Sequence, residues 1–209
     1  MTGIVAQNVG RTSGLIKAAS GGGGVWTLIK TLTSDGSDAT MSFVDGTDDV
    51  TLDSTYPIYV FKLIGIHPET DGERLAFQGN VAGGSGYNET LTTTSFRAYH
   101  DEADSDTALG YEAGNDQAQG TAFQDLSDNI GNGNDESASG ELRLFNPSST
   151  TFVTHFMANF NTYQNSNYSM HTFVGGYFNL TGAIDEIQFK MTSGEIQGGK
   201  IKLYGLSDS

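Results

Sequence analysis

Short stretches of alternating or continuous apolar residues, separated by turn residues, run along the chain from residue 25 onward. In Thr92–Tyr99 apolar and polar side chains alternate, which predicts a strand with one buried face. Ile58–Ile66 is apolar on both faces and predicts a central strand. The other predicted strands are Trp26–Leu32, Met41–Val44, Arg74–Gln78, Glu141–Phe145, Phe152–Phe160, Met170–Phe178, Ile184–Met191 and Lys200–Leu206. Many short strands with frequent turns predict an all-β sandwich or barrel.

The last two predicted strands are separated by a glycine-rich connection. We expect Ile184–Met191 and the strand that follows it to form a hairpin-like pair, in which Gly198 and Gly199 turn the chain. Alternation then places Ile201 and Leu203 on the core side of the final strand.

Residues 1–24 have a different pattern and predict a separate arm. The run Gly21–Gly24 predicts a flexible hinge. The residues before it would become ordered only against another surface, and the alternative is a terminus that does not order. The expected organisation is an arm and hinge at 1–24, followed by a sandwich domain at 25–209.

The segment 101–141 interrupts the strand pattern and contains eleven acidic residues but no Lys or Arg. It is rich in Gly, Asn, Ser and Ala, with Phe123, Leu126 and Ile130 as its apolar anchors. We therefore expect long acidic surface loops, with one short strand or helical turn at Thr121–Leu126. Loops of this length are usually functional or mobile.

Composition excludes several classes of function. Glycine accounts for 28 of the 209 residues, which is unfavourable for long helices. The absence of cysteine excludes disulfides, thiolate metal sites and a cysteine nucleophile. A net charge of −15 argues against nucleic acid and anionic membrane surfaces as partners. Because no apolar stretch approaches ~20 residues, no association with a membrane is expected.

Two acidic segments contain the oxygen ligands that calcium requires, His100–Asp106 and Gly131–Asp135. Neither has the ligand spacing of an EF-hand loop, so solvated acidic loops are the favoured interpretation. The histidines do not form a pair with metal-ligand spacing, and His155 is expected to be a hydrogen-bonded structural residue. The sequence predicts no metal and no cofactor.

The carboxylates do not predict catalysis. Asp185 and Glu186 are adjacent in a predicted strand, so their side chains point to opposite faces and do not form a glycosidase pair. Nucleophile-elbow, phosphate-loop and dinucleotide motifs are absent from the sequence. We therefore expect a protein that is not an enzyme and has no catalytic residues.

Four segments carry a resemblance to a known group of proteins. Ile187–Met191 and Ser193–Leu206 resemble the last two strands of jelly-roll domains in virion proteins of tailed bacteriophages. Phe96–Glu102 and Asn129–Phe156 are similar to structural proteins of marine tailed phages. The resemblance covers most of residues 25–206. It implies a single antiparallel β-sandwich of jelly-roll (concanavalin-like) type.

The same resemblance implies a non-enzymatic virion structural protein, most simply a capsid decoration or surface protein. Its partners would be other copies of itself, with a trimer as the working assumption, and phage shell or tail proteins. Its location would be the virion, assembled in the host cytoplasm. The candidates for attachment are the basic and apolar residues of the arm: Ile4, Val5, Arg11, Leu15, Ile16 and Lys17. The acidic body would otherwise repel its neighbours.

Carbohydrate binding is the alternative, as part of a tail fibre or an outward-facing decoration that binds host-surface glycans. Ile184–Phe189 resembles the final strand of lectin-like concanavalin sandwiches. Loops at strand ends often carry binding residues. The candidates of suitable type are Tyr163, Asn165, Asn167, Tyr168 and Asn179. The competing interpretation is that these five are ordinary loop residues without a binding role.

Overall fold

Thirteen strands supply the regular structure of residues 24–207, which are the residues that the computed structural model describes. The strands are β1 (Trp26–Thr33), β2 (Met41–Val44), β3 (Ile58–Pro68), β4 (Leu75–Val81), β5 (Leu91–Asp101), β6 (Thr107–Tyr111), β7 (Ala118–Gly120), β8 (Gln124–Asp125), β9 (Ala138–Phe145), β10 (His155–Gln164), β11 (Tyr168–Phe178), β12 (Ile184–Met191) and β13 (Ile196–Leu206).

The strands form two antiparallel sheets. The larger sheet has nine strands in the order β1-β13-β3-β9-β10-β11-β5-β6, with β7 also paired to β5. The smaller sheet has four strands in the order β2-β12-β4-β8. The chain passes repeatedly from one sheet to the other, for example from β1 to β2 and back to β3. The predicted fold class, an antiparallel β-sandwich of jelly-roll type, is confirmed.

The core lies between the facing sides of the two sheets. Phe61, Phe156 and Phe160 point inward from the larger sheet, and Phe77 and Phe189 point inward from the smaller one, all essentially unexposed. The rings of Phe77 and Phe156 meet edge to face with centroids 4.9 Å apart. Burying each such side chain contributes about 1.5–3 kcal/mol, so this aromatic layer fixes the two sheets face to face.

The predicted hairpin between the last two strands is wrong. β12 lies in the smaller sheet between β2 and β4, whereas β13 lies in the larger sheet between β1 and β3. Gly198 and Gly199 lie inside β13, where the register with β3 shifts, and Gly199 has a φ of +105°. Ile201 and Leu203 are buried in the core, as predicted. The chain turns at Gly194, which has a φ of +68°.

The acidic segment 101–141 is more ordered than a set of surface loops. It contributes β6, β7 and β8 to the sheets, and Leu126 and Ile130 are buried, as expected of anchors. The short element predicted at 121–126 is the strand β8. Two arginines from outside this segment hold it: Arg97 forms ion pairs with Glu112 and Asp128, while the Arg74 guanidinium contacts residues 115, 125 and 129.

The arm predicted at 1–24 falls outside the described residues except for Gly24. The same holds for all of the attachment candidates: Ile4, Val5, Arg11, Leu15, Ile16 and Lys17. Within residues 24–207 there is no helix with the length and apolar character needed to cross a membrane.

Candidate functional site

One side of the larger sheet is turned away from the smaller sheet, and we call this side the outer face. Strand β10 shows how the sequence creates it. Phe156 and Phe160 point into the core, whereas Met157, Asn159 and Asn161 alternate with them and point outward. The outer face also carries most of the large apolar side chains that are exposed: Trp26, Leu28, Ile64, Phe96, Leu109, Tyr111 and Met157.

A row of outward-pointing side chains crosses the outer face at right angles to the strands. In register from β13 to β5, its members are Lys202, Lys62, Glu141, Asn159, Phe173 and Phe96. Since neighbouring strands lie about 4.8 Å apart, this row is about 24 Å long. One end of the row is therefore cationic and the other end is aromatic.

The aromatic end is a platform of stacked rings. Phe96 and Phe173 have centroids 4.7 Å apart and planes only 10° from parallel. The imidazole of His171 stacks on Phe173 at 4.3 Å and 18°. Tyr111 extends the row on β6 as the cross-strand partner of Phe96. Stacking of this kind holds the rings in fixed positions, and Phe96 is still 44% exposed, so part of its apolar surface is available to a ligand.

A hollow of about 370 Å³ lies beside this platform. Its floor is Gly175, whose cross-strand neighbours are Met157 on β10 and Thr94 on β5. A Cβ at Gly175 would meet no atom within 4 Å. The missing side chain therefore creates the hollow, and Phe173 and Asn159 line it from the next row.

The polar wall of the hollow is built around Glu141. Arg143 lines the hollow and donates from Nε to Glu141 Oε1 over 2.7 Å, and Lys62 forms an ion pair with the same carboxylate. Burial raises the pKa of Glu141, but the hydrogen bonds and charges of Lys62 and Arg143 outweigh it, so the pKa lies below its usual value. Glu141 is therefore anionic at neutral pH and orients the Arg143 guanidinium, which carries five N–H donors.

Four of the five residues predicted for glycan binding come together, but away from this hollow. Tyr163, Asn165, Asn167 and Tyr168 lie at the turn between β10 and β11. The Tyr168 hydroxyl donates to Asp106 Oδ2 over 3.2 Å, so it already makes an intramolecular hydrogen bond. Asn179 follows the other end of β11, about 33 Å along the strand, and does not join the group.

The acidic segment His100–Asp106 forms local hydrogen-bonded structure. The Asp101 carboxylate accepts hydrogen bonds from the Ser105 hydroxyl and from the backbone N–H groups of Ser105 and Asp106. These bonds lower the pKa of Asp101 to about 2. Within residues 24–207, no three His, Cys, Asp or Glu side chains lie close enough together to hold a metal ion.

Sequence reasoning missed Phe96, Phe173, Arg143, Asn159 and Gly175 as a site. The alternation that places Phe96 on one side of β5 was visible, but a single strand does not disclose which of its sides the second sheet will cover. The register that brings Phe96 beside Phe173 depends on pairing between strands about 75 residues apart in the chain.

His155 was also interpreted wrongly. It lies at the start of β10 with its side chain exposed on the outer face, and its ring centroid is 5.7 Å from that of Tyr177. The expected structural role rested on the position of His155 inside the apolar segment Phe152–Phe160. In the structure only alternate residues of β10 are buried.

No protein-family model matches the chain, and no curated protein matches it. Among solved structures, an alginate lyase of polysaccharide lyase family 7 is similar over 88% of this chain and 80% of that chain. The sequence identity is 10% and the TM-score is 0.27. The fold assignment therefore rests on the strand pairing described above.

Proposed function

We propose that this chain is a carbohydrate-binding β-sandwich module and that its outer face is the binding surface. The observation that carries the proposal is the stacked pair Phe96 and Phe173 beside the hollow floored by Gly175. A sugar ring has an apolar face of C–H groups and a polar edge of hydroxyls. The platform matches the apolar face, while Arg143 and Asn159 offer donors and an acceptor to the edge.

The arrangement supports binding without hydrolysis. A glycosidase needs two carboxyl groups about 5–9.5 Å apart on either side of the scissile bond. Among the outward-pointing strand residues that the structure describes, Glu141 is the one carboxylate on the outer face, and it is occupied by Lys62 and Arg143. A single carboxylate that is already paired with two cations suits a binding surface, so the proposal includes no hydrolysis of the bound carbohydrate.

The test is a glycan array followed by titration calorimetry on the best ligand, using the full chain. Phe173→Ala should weaken binding by about tenfold, because an aromatic contact of this size contributes about 1–3 kcal/mol. The control is Phe152→Ala, since Phe152 is 72% exposed but does not line the hollow. Equal binding by the two variants would contradict the proposal, as would an array without any bound glycan.

We further propose that the module belongs to a tailed-phage particle, as a capsid decoration or surface protein held by its N-terminal arm. The favouring observation is the exposed apolar group Val25, Trp26 and Leu28, which begins directly after Gly24 and continues into the edge strand β1. An apolar surface next to the arm would be buried on attachment. Deleting residues 1–20 should abolish incorporation into particles while leaving the sandwich folded by circular dichroism. Undiminished incorporation would contradict attachment through the arm.

A further inference from the structure

Positive charge is concentrated on the outer face. Residues 24–207 contain eight Lys and Arg side chains, and four of them point outward from the larger sheet. These four are Lys62, Arg143, Lys200 and Lys202. Glu141 is the one acidic residue among the strand residues that the structure describes as pointing outward from the larger sheet, so these strand residues together carry a net charge of about +3 in a chain with a net charge of −15.

Two of these cations are placed unfavourably for stability. Lys202 on β13 is the direct cross-strand partner of Lys62 on β3. Like charges in this arrangement repel and destabilise a sheet. Glu141 offsets the charge of Lys62, but neither Lys200 nor Lys202 forms an ion pair within residues 24–207. The charges of Lys200 and Lys202, which the fold does not neutralise, are suited to an anion supplied from outside.

The cationic cluster continues directly into the aromatic platform. Lys202 and Lys62 begin the row, which passes Glu141 and Asn159 and ends at Phe173 and Phe96. The Glu141 carboxylate in the middle of the row is paired with Lys62 and Arg143. A linear chain lying along this row would meet fixed positive charge over its first part and stacked rings over its second. The ligand that fits both halves has anionic groups on a backbone of rings with apolar faces.

We infer that the carbohydrate bound by the outer face is an anionic polysaccharide, with carboxylate or sulfate groups directed to Lys62, Lys200, Lys202 and Arg143. This inference rests on the proposed carbohydrate-binding function and names its ligand class. The electrostatic contribution also steers an anionic chain toward this face and away from the acidic remainder of the protein. Because these charges are exposed, the contribution is screened over a Debye length of about 8 Å at physiological salt.

The experiment compares pairs of polymers that share a backbone, of which one is charged and the other is neutral. Polygalacturonate is titrated against the full chain beside its fully methyl-esterified form, which has the same backbone without the charge. Dextran sulfate beside dextran distinguishes sulfate from carboxylate recognition. We expect each charged polymer to bind at least fivefold more tightly than its neutral partner, and this ratio to fall as salt is raised from 50 to 500 mM.

Paired variants assign the effect to the cluster. Lys200→Gln with Lys202→Gln should weaken binding of the charged polymer by about fivefold, which corresponds to the loss of two exposed charge contacts. Lys30→Gln with Lys190→Gln removes the same total charge from positions outside the outer face and should leave the affinity within about twofold. An equal loss in both double variants would overturn the inference.

The outcomes separate the inference from the function on which it rests. Equal binding of the charged and neutral polymers would overturn the anionic preference and leave carbohydrate binding intact. Binding of no glycan would overturn both. A dimer in sedimentation velocity that dissociates on Phe96→Ala would also overturn the inference, because a second copy would then cover this face.

Discussion

Gly175 and Gly176 are consecutive residues of β11 that face opposite sides of the larger sheet. A Cβ at Gly175 would meet no atom within 4 Å, whereas a Cβ at Gly176 would lie 2.6 Å from the carbonyl oxygen of Thr92 and 2.9 Å from the ring of Phe156. The first glycine leaves space on the outer face, and the second permits close packing on the core side. One residue type therefore serves two purposes at neighbouring positions.

Alanine substitution should separate these two purposes. Gly176→Ala should destabilise the fold by about 1–3 kcal/mol, because the added methyl group overpacks a filled site. Gly175→Ala should change the free energy of unfolding by less than about 1 kcal/mol but weaken glycan binding, because the methyl group fills the floor of the hollow. Urea unfolding and calorimetry measure the two effects. Equal stability of the two variants would show that the core around Gly176 has room for a methyl group, contrary to the contacts described above.

The fold class was predictable because it depends on patterns within single strands. Alternation alone places Ile201 and Leu203 inside, and they are buried. The sheet to which each strand belongs was not predictable in the same way. A glycine-containing turn can connect two strands of the same sheet or two strands of different sheets. The sequence near Gly194 therefore does not indicate that β12 and β13 belong to different sheets.

The candidate site was less predictable than the fold. The residues proposed for glycan binding were chosen at strand ends, and the hairpin turn does bring Tyr163 and Tyr168 together. The outer-face site is instead built from strand interiors, where Phe96, Phe173 and Arg143 come from three different strands. Their proximity is a consequence of register across the sheet, which no local pattern encodes.

Arg74 connects β4 to the acidic segment. Its Nε donates to Asn129 Oδ1 over 2.9 Å, and its Nη1 donates to Asn115 Oδ1 over 2.7 Å and to Asp125 Oδ2 over 3.1 Å. Burial raises the pKa of Asp125, and Arg74 partly offsets this increase. Removing the guanidinium would leave a mostly buried carboxylate without its counter-ion.

We expect Arg74→Met to loosen the acidic segment while the two sheets remain folded. The aliphatic part of the side chain is retained, so the loss comes mainly from the polar contacts and should be about 1–3 kcal/mol. Hydrogen exchange over residues 112–130 should increase at least tenfold relative to β10. Lys200→Met is the control, since it removes an exposed cation that lies outside residues 112–130 and makes no ion pair in the described part of the chain. Unchanged exchange in 112–130 would argue against Arg74 as the connection.

Asp101 should make the stability depend on acid pH. Its pKa is lowered to about 2 by the hydrogen bonds from Ser105 and Asp106, against a usual value of 3.8. Because the pKa is lower in the folded state than in the unfolded state, the ionised Asp101 carboxylate stabilises the fold. This contribution is complete above about pH 4 and is lost as the pH falls toward 2. Asp101→Asn should therefore lower the melting temperature at pH 7 but have little effect near pH 2.

The control for Asp101 is Asp49→Asn, which removes one carboxylate from an exposed turn residue. Its difference from the wild type at pH 7 should be small. A difference for Asp101→Asn that is the same at both pH values would show that the three hydrogen bonds do not favour the ionised carboxyl group.

Tyr59 should make the stability depend on alkaline pH. Its ring is fully buried, and its hydroxyl donates to the backbone oxygen of Asp53 and accepts from the Asp53 N–H, each over 3.1 Å. Burial raises the pKa of Tyr59 from 10.0 to about 12. The unfolded chain therefore loses this proton first, and the stabilisation that is complete below pH 10 is lost as the pH rises toward 12.

Tyr59→Phe should be less stable than the wild type at pH 8, by about 1 kcal/mol for the lost hydrogen bonds. It should also lose less stability than the wild type between pH 10 and pH 11.5, because the phenylalanine ring has no proton to lose. The free-energy difference between the two proteins, measured by urea unfolding at each pH, should therefore shrink as the pH rises. A difference that stays constant over this range would mean that the Tyr59 hydroxyl is not held in its neutral form by burial.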